Sequence, residues 1–329
     1  MLTLFLTLTL AVLASANSKI EIRELRNACD ISAGVLLDSE RWVVANDENQ
    51  LLYIYKPNNS SPMDSVNLSD HFAQGRKRGE VDLEATARIN DTIFWIGSHS
   101  TNKRGRYRSA RHALAATWWD SHQLIPVGQV YRDLAKDLAV LDSAIFGNNL
   151  LLNIEGLAHD AEGELLLGFR EPMVQDQALV VKLSNPQQCL QGEKAQLQTP
   201  ILLDLGGQAI RSLEYDAQRQ VFWIIGGPSS KANTTPLTGP KFSLWQWNGA
   251  SEVAPQRLNL DLADLNPEAL FVNENTLVII SDDGSLPIVG VECKKLPTYA
   301  QKARYFLWEI PGSDKINSKI KDDSVATEP

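Results

Sequence analysis

Five stretches of this sequence open alike: DISAGVLL from Asp30, DLEATARI from Asp82, NIEGLAHD from Asn153, IRSLEYDA from Ile210 and NPEALFVN from Asn266. A second marked position follows 15 residues after the third residue of each stretch. The pairs are Ser32 with Asp47, Glu84 with His99, Glu155 with Arg170, Ser212 with Gly227 and Glu268 with Asp283. Each pair encloses two runs rich in Val, Ile, Leu, Phe, Trp and Tyr. Between the runs lies a polar turn: DSER, INDT, DAEG, DAQR or NENT. That pattern reads as one β-hairpin used five times.

Each unit extends to four strands. In the third they fall at 155–159, 164–169, 178–183 and 200–205, and in the fourth at 212–216, 221–225, 242–247 and 257–261. The fifth unit has three (268–272, 276–281 and 304–310) and then runs out of chain. A spare strand, KIEIREL at 19–25, stands before the first unit. Closing a ring with that strand removes the exposed sheet edges, the usual solution in β-propellers. The expected fold is therefore an all-β, five-bladed propeller over residues 17–310, with a six-bladed ring as the alternative. Repeat starts lie 52, 71, 57 and 56 residues apart, whereas a four-stranded blade takes roughly 40–50 residues. The long interval holds LAKDLAVLDSAIF at 134–146, whose apolar residues recur at helical spacing.

Residues 1–16 carry no charged side chain and end in Ala14-Ser15-Ala16, as a secretory signal peptide does. The expected location is periplasmic or secreted, with no membrane span once that segment is removed. Residues 311–329 are polar and without apolar periodicity, which predicts a disordered tail. A net charge of −9 over 329 residues argues against nucleic acid as the default partner. Cys29, Cys189 and Cys293 are the only cysteines, and their spacing suits no zinc site. The layout puts Cys29 and Cys293 on one face of the fifth blade, able to form a disulfide in an oxidising compartment, and leaves Cys189 as the spare thiol.

In a propeller the first strand of each blade lines the central channel, and the second returns beside it. The marked positions therefore share one face, called the ring face below. Ser32, Glu84, Glu155, Ser212 and Glu268 are expected at the channel mouth. Asp47, His99, Arg170, Gly227 and Asp283 are expected just outside it. Glu214, two residues past Ser212, is a second candidate from the fourth blade. Carboxylates crowded into one channel repel one another and resist desolvation. Two things can offset that. One is calcium, which takes 6–8 oxygen ligands in flexible geometry. The other is pairing with Arg108, Arg170 or Arg211. Basic loops on the same face, HSTNKRGRYRSARH and CKKLPTYAQKAR, suit an anionic small-molecule ligand, with Arg108, Arg111, Arg170 and Arg211 as candidate clamps. They also read as solvated charge countering an acidic ring. Asp47, His99 and Asp283 are the candidates to orient water or move a proton; His99 reads equally as a structural residue. No nucleophile elbow, phosphate-binding glycine loop or zinc-protease helix is present.

The ordered strings DLEATA, FWIGSHS, NIEGLA, LLLGFREP, LDLGGQAIRSLEY, PEAL and SDDG resemble a bacterial family of propellers known only as a domain of unknown function. The likeness spans most of 27–310. That family more often has a Glu-Gly-Leu type string where DLEATA stands. Membership implies the fold and no established activity. In architecture the chain is also similar to calcium-activated apyrases, five-bladed propellers with a central calcium held by Ser and Glu residues. Ser32, Glu84, Glu155, Ser212 and Glu268 resemble that set in order. Phytase-like and esterase-like propellers also hold calcium over the channel. This resemblance implies a calcium-dependent phosphoester hydrolase. The alternative is a non-catalytic ligand- or protein-binding scaffold.

Overall fold

The computed structural model describes residues 20–47, 49–102, 104–147, 152–229, 239–262 and 264–311. The expected signal segment 1–16 and all of the expected tail except Pro311 lie outside these residues. Five four-stranded antiparallel sheets follow one another along the chain. Blade one is β1-free and comprises β2 (Ile31–Asp38), β3 (Arg41–Asn46), β4 (Leu51–Tyr55) and β5 (Asp64–Asn67), where β1 (Arg23–Arg26) is the N-terminal strand. Blade two comprises β6 (Leu83–Ile89), β7 (Thr92–Gly97), β8 (Leu114–Trp119) and β9 (Leu124–Tyr131). Blade three comprises β10 (Asn153–His159), β11 (Leu165–Val174), β12 (Gln177–Leu183) and β13 (Ile201–Leu203). Blade four comprises β14 (Ala209–Asp216), β15 (Val221–Gly227), β16 (Ser243–Trp247) and β17 (Gln256–Arg257).

Blade five has β18 (Pro267–Asn273) and β19 (Thr276–Ser281). A small hairpin follows, β20 (Pro287–Ile288) and β21 (Val291–Glu292), and then β22 (Lys302–Glu309). Its fourth strand is β1, which pairs with β22 from Arg23↔Tyr305 to Arg26↔Lys302. The N-terminal and C-terminal strands thus share one sheet, and five is the blade number.

Each strand run is apolar because most of it is buried on both sides. Five clusters of buried side chains fill the five seams between adjacent blades. Ala33, Val43 and Ile54 of blade one meet Leu83, Ile93 and Trp95 of blade two. Phe271, Val278 and Tyr305 of blade five meet Ile31, Trp42 and Tyr53 of blade one. The innermost strands β2, β6, β10, β14 and β18 touch one another around the ring. Glycine is needed where they crowd: a Cβ on Gly156 would lie 2.8 Å from Ile210 Cγ2. The helical reading of 134–146 resolves into α1 (Leu134–Leu141) and α2 (Ser143–Phe146), whose Leu134, Leu138 and Phe146 cap the seam between blades two and three. Asp142 ends the first helix and caps the second, accepting from Ala144 N and Ile145 N.

Cys29 and Cys293 form a disulfide, with Cα atoms 6.3 Å apart, and Cys189 is a buried free thiol. The bond joins the chain just after β1 to the long loop of the same blade. No helix among the described residues is long and apolar enough to cross a membrane.

Ring closure rests on Leu25, fully buried in the seam between blades five and one. Leu25→Ala is expected to cost ~2–5 kcal/mol in urea unfolding. Ile22, which is 47% exposed, should change stability by no more than about 0.5 kcal/mol on the same substitution.

Candidate functional site

Every innermost strand carries the same irregularity at its ring-face end. The pairing skips one residue between Ile31 and Ala33, Leu83 and Ala85, Ile154 and Gly156, Ile210 and Ser212, and Pro267 and Ala269. The skipped residues are Ser32, Glu84, Glu155, Arg211 and Glu268. A β-bulge leaves one residue out of the ladder and re-aims its side chain. Repeated five times at one level, it gathers five side chains around the axis.

The fourth blade therefore contributes Arg211, not the expected Ser212. Ser212 is the small residue after the bulge, equivalent to Ala33, Ala85, Gly156 and Ala269. The marks were displaced by one because IRS offers two registers. The apolar residue before each bulge and the small one after it distinguish them: Ile-Ser-Ala, Leu-Glu-Ala, Ile-Glu-Gly, Ile-Arg-Ser and Pro-Glu-Ala. Glu214 is also displaced from the ring. Its Oε1 accepts from Val272 N of blade five at 3.3 Å. Burial, opposed by that bond, pushes its pKa up to about 8, and the one charge that adds to the shift is Asp216 rather than a ring carboxylate.

The second ring also departs from a constant 15-residue offset. The residue that follows the partner of the last residue before each bulge is Asp47, Ser98, Arg170, Gly227 or Asp282. Asp47 N, Ser98 N and Asp282 N bond to Asp30 O, Asp82 O and Asn266 O respectively, at 2.8–3.0 Å. His99 and Asp283 lie one residue further on and turn away. His99 adopts a left-handed φ of 58° and is fully buried. Its Nδ1 bonds Gly97 O at 2.8 Å and its ring packs edge-on to His112. Burial, then the charge of His112, pushes its pKa down to about 3. Asp283 is held by Arg304, with Nε and Nη2 each donating at 2.8 Å, and by Ser281 Oγ at 2.7 Å. It fastens β22 to β19 and faces no ring residue. Of the three expected catalytic residues only Asp47 stands at the mouth.

One side of the mouth is an ion-pair network. Arg211 bridges blades three and five: its Nη1 lies 3.0 Å from Glu155 Oε2, and its Nη2 donates to Glu268 Oε1. Arg170 Nη1 donates to Glu155 Oε1 at 2.8 Å, as does Asn153 Nδ2 at 2.9 Å. Arg211 and Glu155 are almost wholly buried. Burial disfavours the charged guanidinium, but Glu155, Glu268 and Glu84 outweigh it and hold the proton on Arg211.

The other side is a surplus of acid. Glu84 makes no hydrogen bond or ion pair among the described residues. Burial, then the charges of Glu155, Asp82, Asp47 and Glu268, pushes its pKa well above the usual carboxylate range. Asp47, Glu80 and Asp82 bring one carboxylate oxygen each to within 4.8 Å of one another. Arg111 enters this group, its Nη1 2.7 Å from Asp82 Oδ2 and its Nη2 on Glu80. Ser100 Oγ binds the same guanidinium at 2.8 Å. Arg111 is thus engaged by carboxylates, whereas Arg108 is exposed at the rim. Beside blade five, Asp282 and Asp30 carboxyls hydrogen-bond to each other. Burial, Glu268 and Asp30 hold Asp282 well above the ordinary range, and Lys294 Nζ lies 3.7 Å from Asp30 Oδ2. Gly284 permits that approach: a Cβ there would lie 1.9 Å from Asp30 Oδ1.

Fold and site define a five-bladed propeller whose channel mouth combines a buried arginine–glutamate network with an unpaired glutamate, Glu84. The chain belongs to the family described as "Protein of unknown function (DUF3616)", matched over residues 30–118 and 129–270. No curated protein matches it. Among solved structures it is similar to Myxococcus xanthus glutaminyl cyclase, at 10% identity and TM-score 0.46, covering 89% of this chain and 97% of that one. It is also similar to the PQQ-bound aldose sugar dehydrogenase of Streptomyces coelicolor, at 11% identity and TM-score 0.42, covering 88% and 99%. These likenesses concern the fold alone.

Removing Arg211 strands Glu268 and leaves the buried Glu155 with Arg170 and Asn153 alone. Arg211→Met should destabilise the fold by ~3–5 kcal/mol at neutral pH. The loss should shrink as pH falls and these glutamates protonate; urea unfolding at several pH values reads both effects. Glu214 gives an opposite slope to the usual surface carboxylate. Its pKa is about 8 folded against an ordinary 4.5, so the folded chain holds a proton that the unfolded chain releases. Its contribution is full below pH 4.5 and is lost as pH rises towards 8. Glu214→Gln, which keeps the acceptor for Val272 N, should flatten that part of the stability–pH curve.

Proposed function

We propose that the ring face is a binding site for calcium and an anionic ligand, centred on Glu84. The observation that carries this reading is the position of Glu84, unpaired and facing four other carboxylates. A hard cation there would let these groups ionise together. The oxygen donors of Glu84, Asp47 and Asp82 have the chemistry calcium takes. The fit is to this acidic side and not to a symmetrical five-blade ring. Arg211 stands in the fourth position, and it already engages Glu155 and Glu268. Ser32 stands in the remaining position, two residues after Asp30.

When bound, calcium would supply Lewis-acid polarisation of an anionic oxygen. Arg170, partly exposed beside Glu155, is the residue placed to orient such an anion, with Arg108 at the rim. Asp47 is the residue placed to hold a water. This suits phosphoester hydrolysis as the reaction class, without His99 or Asp283. The scaffold reading has its own support: Arg170 and Arg211 neutralise Glu155 and Glu268, as a structural plug would. The Cys29–Cys293 disulfide and the uncharged segment 1–16 support export to an oxidising compartment.

The test is a thermal shift with calcium or chelator, paired with a phosphoester substrate panel. Calcium should raise Tm at neutral pH, and Glu84→Gln should abolish the shift while Glu193→Gln, at the exposed surface, leaves it intact. A calcium shift without turnover selects the scaffold reading. A Tm that calcium does not move contradicts the calcium site.

A further inference from the structure

We propose that the ring face docks on an anionic lipid surface, with the tip of the β20–β21 hairpin entering the interface. The inference starts from Val289. It is completely exposed and sits at φ 49°, followed by Gly290 at φ 81°. Two successive positive φ values make a tight hairpin turn of the kind that favours Asn-Gly. A β-branched residue in that conformation is strained. Val289 therefore incurs a conformational cost and gains no packing within the chain. Strain of this kind points to a function outside the fold.

The surroundings fit an interface. Val291 is 42% exposed and Tyr299, in the same loop, is 81% exposed. The hairpin is braced at its base, where Cys293 N bonds Leu286 O at 2.8 Å and Lys294 N bonds Gly284 O at 3.0 Å. The disulfide from Cys293 to Cys29 ties the same base to the body. An apolar tip on a rigid stalk can insert without first being ordered.

Charge selects the partner. The connection from blade one to blade two carries exposed Arg76 and Lys77, and the loop of blade two carries exposed Arg104, Arg106 and Arg108. None of these five has a carboxylate partner among the described residues. The two segments pack together, with Gly79 against Ala110 and Arg132 between them. Strand direction puts both on the ring face, with the hairpin. The opposite face presents exposed Glu40, Asp91, Glu162, Glu252 and Glu274 from its turns. The chain as a whole is acidic, so attraction to an anionic surface would come through this basic cluster on the ring face and not through net charge. Of the acidic groups of the mouth, Asp82 is buried, and the exposed Glu80 is held by Arg111. Docked in this way, the mouth would face the headgroup layer. Basic residues beside an inserted apolar group are what interfacial binding requires.

The experiment is co-sedimentation of the full chain with vesicles of phosphatidylcholine alone, or with one-third phosphatidylglycerol, at low and high salt. Partition is expected on the anionic vesicles only, and to fall at high salt. Val289→Asp should lower it at least tenfold. Val289→Asn, which suits the turn better, should lower it several-fold while leaving Tm unchanged or higher, which separates docking from folding. Arg76→Glu combined with Lys77→Glu should lower it by roughly 25-fold or more, at about fivefold per basic charge lost. Equal partition on neutral vesicles, or none on either, would overturn the proposal. So would Val289 variants that bind as the parent does while the charge reversals abolish binding; that pattern marks a surface for soluble polyanions.

Discussion

Five bulged residues have to share one narrow channel, and the charges they bring decide much else about this molecule. Three are glutamates. Without a cation among them their mutual repulsion would oppose closing the ring. Arg211 supplies that cation from within the chain, buried between Glu155 and Glu268. A buried ion pair of this kind is weak evidence for added stability, because desolvation offsets attraction. Its effect is specific instead. It fixes which carboxylates are satisfied and leaves Glu84 as the one that is not.

The seams and the mouth divide the labour. Apolar side chains between neighbouring blades hold the disc together, and β1 removes its open edges by pairing with β22. The bulges then place polar side chains on a rigid frame, so the mouth needs no ordering before it meets a ligand. Asp283 and His99 belong to the frame. The first locks β22 through Arg304, and the second fills the space beneath the loop that carries Arg111. The groups at the mouth that the frame does not use are Glu84 and the outer edge of Arg170.

The architecture was legible in the sequence because it depends on composition and period. Alternating apolar runs and polar turns recur at blade spacing, and the missing fourth strand of blade five has its complement at the N-terminus. The helical insertion was legible for the same reason. The site was legible only to within a residue. A bulge adds one residue to one strand, and no local composition rule marks which residue is extra. In blade four, Arg211 and Ser212 are both polar and adjacent, and a constant 15-residue offset to Gly227 selects Ser212. A constant offset likewise led to His99 and Asp283, because it assumed hairpins of equal length. Ser98 and Asp282 occupy those places because hairpins two and five are one residue shorter between bulge and return. The approach of Asp30 to Asp282 is a contact across the first and last blades, which no short-range pattern encodes.

The central claim is that Arg211 satisfies Glu155 and Glu268 and leaves Glu84 alone among like charges. Carboxyl NMR titration of the chain carrying ¹³C-labelled glutamate tests it most directly, with the Glu84 signal assigned by its loss in Glu84→Gln. The account predicts that Glu84 titrates well above the usual carboxylate range and moves down when calcium is added. A Glu84 signal that titrates with the surface glutamates, and ignores calcium, would contradict it.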